Sequence, residues 1–119
     1  MKITYPAQNQ VSIWIGAFTD DDDFDRAAEQ DVEKHLSLPA ELGSISEAAY
    51  EEDATSIREL LEGFSGWESF VDEAVAAAEK ARVKNANAAL VCYHLHCSEA
   101  PTAWGNLIFL GSFAVPDLA

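Results

Sequence analysis

Residues 10–18 combine alternating apolar positions with β-branched side chains, which predicts a β-strand. Apolar residues occupy both faces of this segment, with Val11, Ile13 and Ile15 on one and Trp14 and Phe18 on the other. We therefore expect the strand to be covered on both sides.

A helix is predicted directly after this strand. Thr19 or Asp20 can cap its start, and the positive end of the helix dipole favours the aspartates that follow. Its apolar positions are spaced by three and four residues and comprise Phe24, Ala27, Ala28 and Val32. Residues 37–54 show no clear period because Pro39 and Gly43 interrupt them, so we expect only irregular turns there.

Two capping-box patterns predict two further helices. Ser56 with Glu59 opens a short helix that Gly63 closes, and Ser65 with Glu68 opens a longer one. The longer helix has the clearest helical period of the chain, with apolar residues at Trp67, Phe70, Val71, Ala74, Val75 and Ala78.

After Asn85 the apolar period changes to that of a strand. Residues 87–96 and 106–115 are predicted to be strands joined by the loop Cys97–Gly105 as an antiparallel hairpin. The predicted order is β-α-(α)-α-α-β-β. Helices segregated from a small antiparallel sheet of about three strands give an α+β fold, here a two-layer sandwich. We expect residues 1–119 to form a single domain.

Composition agrees with one globular core. Of the 119 residues, 49% are hydrophobic and 10% aromatic. No apolar run approaches the ~20 residues that span a bilayer, and the N-terminus lacks the apolar segment of a signal peptide. We expect a cytoplasmic protein without a membrane segment. Cys92 and Cys97 should be free thiols, because residues an odd number apart on a strand point to opposite faces.

Charge is the most unusual property of the composition. The chain has 21 acidic and 7 basic side chains, a formal net charge of -14. Most of the excess lies between Asp20 and Glu79, where only Arg26, Lys34 and Arg58 are basic. Such a field attracts a basic partner, or it serves solubility alone. It argues against nucleic-acid binding, because phosphate contacts need Lys and Arg.

Two groups of residues are candidate metal sites. A calcium loop beginning at Asp21 would need glycine and glutamate where the chain has Arg26 and Val32. The second group alternates along one predicted strand, so its side chains would share a face as zinc ligands, with His35 as a further ligand: Cys92, His94 and His96. The alternative for this group is ordinary polar residues at the wet end of a sheet. We predict no metal and no cofactor.

Catalytic motifs are absent from the sequence. It contains no Gly-rich phosphate loop, no nucleophile elbow and no metalloprotease helix. A general acid–base pair needs a cleft that perturbs one carboxylate, and most carboxylates here fall on helix faces that we expect to be exposed. We therefore predict that the protein is not an enzyme and has no catalytic residues.

Four segments, in the same order along nearly the whole chain, resemble the Imm22 family of immunity proteins. They are Val11-Ser12-Ile13-Trp14-Ile15-Gly16-x-Phe18, Ser56-Ile57-x-Glu59-Leu60-Leu61-Glu62-Gly63-Phe64-Ser65, Ser69-Phe70-Val71-Asp72-Glu73-Ala74 and Phe109-Leu110-Gly111-Ser112-Phe113. The resemblance implies a small cytoplasmic protein of bacterial polymorphic toxin systems that binds and neutralises the toxin domain encoded beside it, without a cofactor. The segment with Cys92, His94 and His96 is less like the family, in which acidic or aromatic residues are expected there.

An acidic inhibitor of this kind would face a basic toxin domain, for instance a nuclease, and occlude its active cleft. The candidate partner-binding residues lie on the first helix and before Ser56, and they are Asp21, Asp22, Asp23, Asp25, Glu51, Glu52 and Asp53. The alternative for each is solvated surface. A second class of function is a non-catalytic interaction module or homo-oligomeric adaptor, which an exposed edge of the first strand or of the hairpin would favour.

Overall fold

The structure, a computed structural model, describes residues 2–34, 42–98, 103–104 and 106–116. Its strands are β1 (Lys2–Thr4), β2 (Gln10–Gly16), β3 (Ser46–Ser56), β4 (Asn85–Tyr93), β5 (His96–Ser98), β6 (Ala103–Trp104) and β7 (Leu107–Ala114). Its helices are α1 (Asp21–Ala27), which continues as a π-helical segment over Ala28–Lys34, then α2 (Leu42–Ile45), α3 (Ile57–Leu61) and α4 (Trp67–Lys80). Within these ranges, no helix has the length and apolar character needed to cross a membrane.

The main sheet is antiparallel and has the strand order β3-β4-β2-β7-β6, while β1 pairs with β5 in a separate two-stranded sheet. The predicted α+β class with an antiparallel sheet is therefore confirmed. The sheet has more strands than predicted, although β6 contributes only two residues.

Helices cover both faces of the sheet. On one face, Leu61 of α3 and Phe70 of α4 pack in a cluster with Ile13 of β2. On the other face, Phe24 of α1 packs in a cluster with Trp14 of β2. The predicted coverage of β2 on both sides is confirmed. The two-layer sandwich is wrong, because neighbouring residues of one strand point to opposite faces and each face carries its own helices.

The two long C-terminal strands do not form the predicted hairpin. β2 lies between β4 and β7 and pairs with both, so that Trp14 is opposite Leu90 on one side and Phe109 on the other. A strand with large apolar side chains on both faces is most stable where both faces are buried, and in this sheet that is the centre. The chain between β4 and β7 contains β5 and β6 instead of a simple loop.

β3 is the longest element that the sequence pattern does not predict. Irregular turns are expected over residues 37–54, but Ser46 pairs with Cys92 and Tyr50 with Ala88 along β4. The β3 sequence is rich in Glu and Ala and poor in β-branched residues, so its intrinsic preference for a strand is weak. The hydrogen bonds to β4 stabilise the extended conformation that the local sequence favours only weakly. Pro39 lies outside the described residues.

The helix starts agree with the sequence at two positions and differ at a third. The Asp23 N–H donates to Asp20 Oδ1 at 2.7 Å, and the Glu59 N–H donates to Ser56 Oγ at 3.2 Å, so both predicted caps are confirmed. The capping box of Ser65 is wrong. α4 instead begins after Gly66, whose φ of 72° is left-handed, and no side chain caps it. Four residues of its predicted apolar stripe are buried, Phe70, Val71, Ala74 and Ala78, while Trp67 and Val75 are half-buried.

Candidate functional site

The first turn of α1 presents a row of aspartates to solvent. Asp20 Oδ1 accepts the capping hydrogen bond from the Asp23 N–H, and the Asp23 carboxylate forms an ion pair with Arg26 at 3.2 Å. Asp21 and Asp22 are exposed, and their side chains have no hydrogen-bond or ion-pair partner within the described part of the chain. Slight desolvation of the exposed Asp25, followed by the charges of Asp21 and Asp22, raises its pKa. The helix start therefore holds uncompensated negative charge.

A second acidic segment is a bulge in the edge strand β3. Tyr50 is opposite Ala88 and Thr55 is opposite Ala86, so residues 51–54 all face the single position Asn87. The extra residues loop outward and are exposed, and three of the four are acidic: Glu51, Glu52 and Asp53. A charged bulge on an edge strand hinders another strand from pairing there.

Tyr50 is the point at which the two acidic segments meet. Its half-buried ring stacks on Phe24 of α1 with ring centroids 6.5 Å apart and planes 23° apart. Desolvation, followed by the carboxylates of Asp20, Asp21, Glu52 and Asp23, raises the pKa of the Tyr50 hydroxyl. Carboxylates from both segments are thus close enough to disfavour ionisation of the same hydroxyl group. We call the set the acidic surface, and it consists of Asp20, Asp21, Asp22, Asp23, Asp25, Glu51, Glu52 and Asp53.

Asn87 of β4 fixes how the two segments sit. It is 6% exposed, its Nδ2 donates to the Phe18 carbonyl at 2.7 Å, and its Oδ1 accepts from the Phe18 N–H at 2.9 Å. The side chain thereby holds the backbone just before α1, while the main chain of the same residue lies opposite the β3 bulge. The sequence feature that could have marked this position is a polar residue between Ala86 and the apolar run that begins at Ala88.

Compared with known proteins, the chain matches no family model, no curated protein and no solved structure.

The Asn87 contacts lead to a stability prediction. Asn87→Ala should lower the free energy of unfolding by about 2–4 kcal/mol, because it leaves the N–H and carbonyl of the buried Phe18 without partners. Urea denaturation measures the effect. The matched control is Asn85→Ala on the same strand, which is exposed and should cost less than ~0.5 kcal/mol. Equal losses in the two variants would contradict the assigned role.

The cysteine and histidine residues do not share a strand face. Cys92 belongs to β4 and is fully buried, His94 lies in a turn with a φ of 58°, and His96 begins β5. The left-handed turn at His94 breaks the alternation on which the predicted geometry depends. The described residues include no group of three or more potential metal ligands, and His35 lies outside them. Cys92 and Cys97 are free and buried, and burial raises the pKa of both thiols.

A separate hydrogen-bonded cluster around Glu47 has a structural role. The Ser65 N–H and hydroxyl donate to its carboxylate at 2.7 and 2.9 Å, and the Tyr93 hydroxyl donates at 2.6 Å. Burial opposes ionisation, but these hydrogen bonds outweigh it and lower the pKa of Glu47. The cluster borders a depression of about 750 Å³ that His94 also lines. A carboxylate held by three donors is a weak base, so its evident role is to join β3, β4 and the start of α4.

This cluster predicts a pH-dependent contribution to stability. Glu47→Gln should lower the free energy of unfolding by about 1–2 kcal/mol at pH 7, because the residue is only partly buried. The pKa of Glu47 is lower in the folded state than its ordinary value of 4.5, so the carboxylate stabilises the fold above that pH. This contribution is lost as the pH falls through the lowered pKa. Denaturation of both proteins between neutral and acidic pH should show the difference shrinking, whereas a constant difference would contradict the assignment.

Proposed function

We propose that this protein is an immunity-type inhibitor that binds a basic toxin domain through the acidic surface. The observation that carries the proposal is the convergence of two acidic segments on Tyr50 and Phe24. Seven of the eight carboxylates are exposed side chains without a basic partner in the described structure, the exception being Asp23. The resemblance of the sequence to Imm22 immunity proteins supports the same class.

The energetics of the free protein support a binding role for this surface. Carboxylates gathered on one surface repel each other, and this repulsion makes the folded chain less stable than a neutral equivalent. A partner that brings Lys and Arg side chains relieves the repulsion on association. Complementary charge also accelerates diffusional encounter and disfavours wrong partners. Tyr50, partly exposed beside the charges, is the aromatic anchor that such an interface needs at its centre.

The partner chemistry follows from the sign of the field. A toxin domain that acts on nucleic acid must itself carry a basic cleft, so an acidic protein can occupy that cleft in place of the substrate. The inhibitor then acts by occlusion in the cytoplasm and needs neither a cofactor nor a catalytic residue. The same field disfavours direct binding of nucleic acid by this chain.

A homo-oligomeric adaptor is the second candidate, because β3 pairs only with β4 among the described strands and so leaves one edge of the sheet unpaired. Ser46–Tyr50 of a second copy pairing along this edge would extend the sheet across a symmetry axis. The charged bulge limits such pairing to these five residues. Light scattering separates the candidates, since a monomer in the absence of the toxin favours the inhibitor.

The function is tested by co-expression with the toxin domain encoded beside this gene. The protein should restore growth to cells that produce the toxin and should co-purify with it as a stable complex. A variant with Asp21, Asp22 and Asp23 changed to Asn should fold normally and rescue growth less well. Killing that continues while both proteins are soluble would contradict the proposal, as would full rescue without complex formation.

A further inference from the structure

A groove between α3 and the C-terminal end of α4 differs in character from the rest of this acidic protein. Its volume is about 710 Å³. Aliphatic side chains line it, and three of the seven basic residues of the chain border it. The aliphatic residues are Ile57, Val75 and Val83, and the basic residues are Arg58, Arg82 and Lys84.

Two of these three cations have no ion-pair or hydrogen-bond partner in the described part of the chain. Arg58 Nη2 is 2.6 Å from Asp72 Oδ1 and is therefore already paired. The side chains of Arg82 and Lys84 make no ion pair or hydrogen bond with any described residue. Glu79 also lines the groove but pairs with neither of them. In a chain with a net charge of -14, two unpaired cations beside an apolar wall are a local exception.

The backbone at Arg82 adds an independent observation. The Val83 N–H donates to the Ala78 carbonyl at 2.9 Å and the Arg82 N–H to the Glu79 carbonyl at 3.0 Å, which is the Schellman ending of a helix. Arg82 occupies the left-handed position of that motif with a φ of 63°. Glycine is the usual residue there because it has no Cβ to strain the conformation. An arginine at this position places a cation at the rim of the groove, and its left-handed backbone conformation lowers the stability of the fold somewhat.

We infer that the groove binds an aliphatic carboxylate. Its volume lies within the range of small-molecule sites, which are mostly apolar with a few polar groups that orient the ligand. An aliphatic chain would cover the half-buried Val75 and Val83, beside Ile57, which the core already buries. Its carboxylate would pair with Arg82 and Lys84. No aromatic side chain is among the described residues that line the groove, so an aliphatic body fits better than one that stacks. This inference is independent of the acidic surface and of the toxin.

Calorimetric titration with decanoate tests the inference directly. Decanoate should bind saturably at one site, and decyltrimethylammonium, which has the opposite charge on the same chain, should not bind. Arg82→Gly and Lys84→Gln should each weaken decanoate binding about fivefold to tenfold, the effect of one charge pair near the surface. Glu79→Gln should strengthen it, because it removes a repelling carboxylate. Lys80→Gln, on the same helix end but outside the groove, should leave the affinity unchanged.

Arg82→Gly also separates binding from folding. Glycine relieves the left-handed strain, so this variant should melt at the same temperature as the parent or higher while binding decanoate less tightly. Absence of saturable binding, equal affinity for the two detergents, or unchanged affinity in Arg82→Gly and Lys84→Gln would each overturn the inference. Binding of an acidic leucine-containing peptide in place of decanoate would also overturn it and would assign the groove to a protein segment.

Discussion

Phe70→Ala should lower the free energy of unfolding by about 3–5 kcal/mol, the usual cost of removing a buried aromatic ring. Phe70 has no exposed area and lies in the cluster that joins α3 and α4 to β2. A loss of this size is a large part of the stability of a small domain, which is about 5–15 kcal/mol. Urea denaturation followed by circular dichroism should therefore show a much earlier transition.

The control for this prediction is Glu73→Ala on the same helix. Glu73 is exposed, so its replacement should change the free energy of unfolding by less than ~0.5 kcal/mol. Because Phe70 packs on the face of the sheet opposite α1, the fraction of Phe70→Ala that remains folded should still bind the partner. A Phe70→Ala protein as stable as Glu73→Ala would show that this cluster is not the core of the fold.

Local rules were sufficient for much of the secondary structure. The caps at Asp20 and Ser56 and the buried stripe of α4 each depend on residues within a few positions of one another. The same rules fail at Ser65, where Glu47, eighteen residues earlier, accepts the N–H that Glu68 would take in a capping box. The Ser65 hydroxyl, which would accept in that motif, instead donates to Glu47. They also fail for β3, which forms through its pairing with β4 and not through its own composition.

The acidic segments could be found in the sequence, but their convergence could not. Charge and exposure single out the residues of α1 and of the bulge as candidates. Their meeting depends on Asn87, which binds Phe18 across 69 positions, and on the stacking of Tyr50 with Phe24. Neither contact leaves a periodic pattern. The strand order likewise escaped prediction, because periodicity identifies a strand without saying which strands it pairs with.

Neutralising the acidic surface should have the largest effect on function. One variant changes Asp21, Asp22 and Asp23 to Asn, and a second changes Glu51 and Glu52 to Gln and Asp53 to Asn. Each should lower the association rate constant with the toxin domain about tenfold at low salt, because long-range attraction governs encounter. Folding should be nearly intact, since the relieved repulsion offsets the lost helix-dipole and Asp23–Arg26 interactions and Asn and Gln keep the side-chain volume. Dissociation should change much less than association.

A matched control separates local from global charge. Changing Glu62, Glu68 and Glu73 to Gln removes the same number of charges from exposed positions of α4 and the segment before it. This variant should bind the toxin domain within about twofold of the parent, because those carboxylates do not face Tyr50 and salt screens charges more than about 10 Å away. The three variants thus differ in position and not in net charge.

The most direct test of the acidic surface as the binding site is to measure, by stopped flow, how fast a variant with six substitutions associates with the toxin domain. That variant combines the changes at Asp21, Asp22, Asp23, Glu51, Glu52 and Asp53. The association rate constant of this variant should be about 100-fold below that of the parent at roughly 0.05 M salt. As salt rises to roughly 0.5 M, the rate constant of the parent should fall toward that of the variant. The Glu62, Glu68 and Glu73 control should keep the rate and the salt dependence of the parent. If the variant with six substitutions associates as fast as this control, the acidic surface is not the binding site.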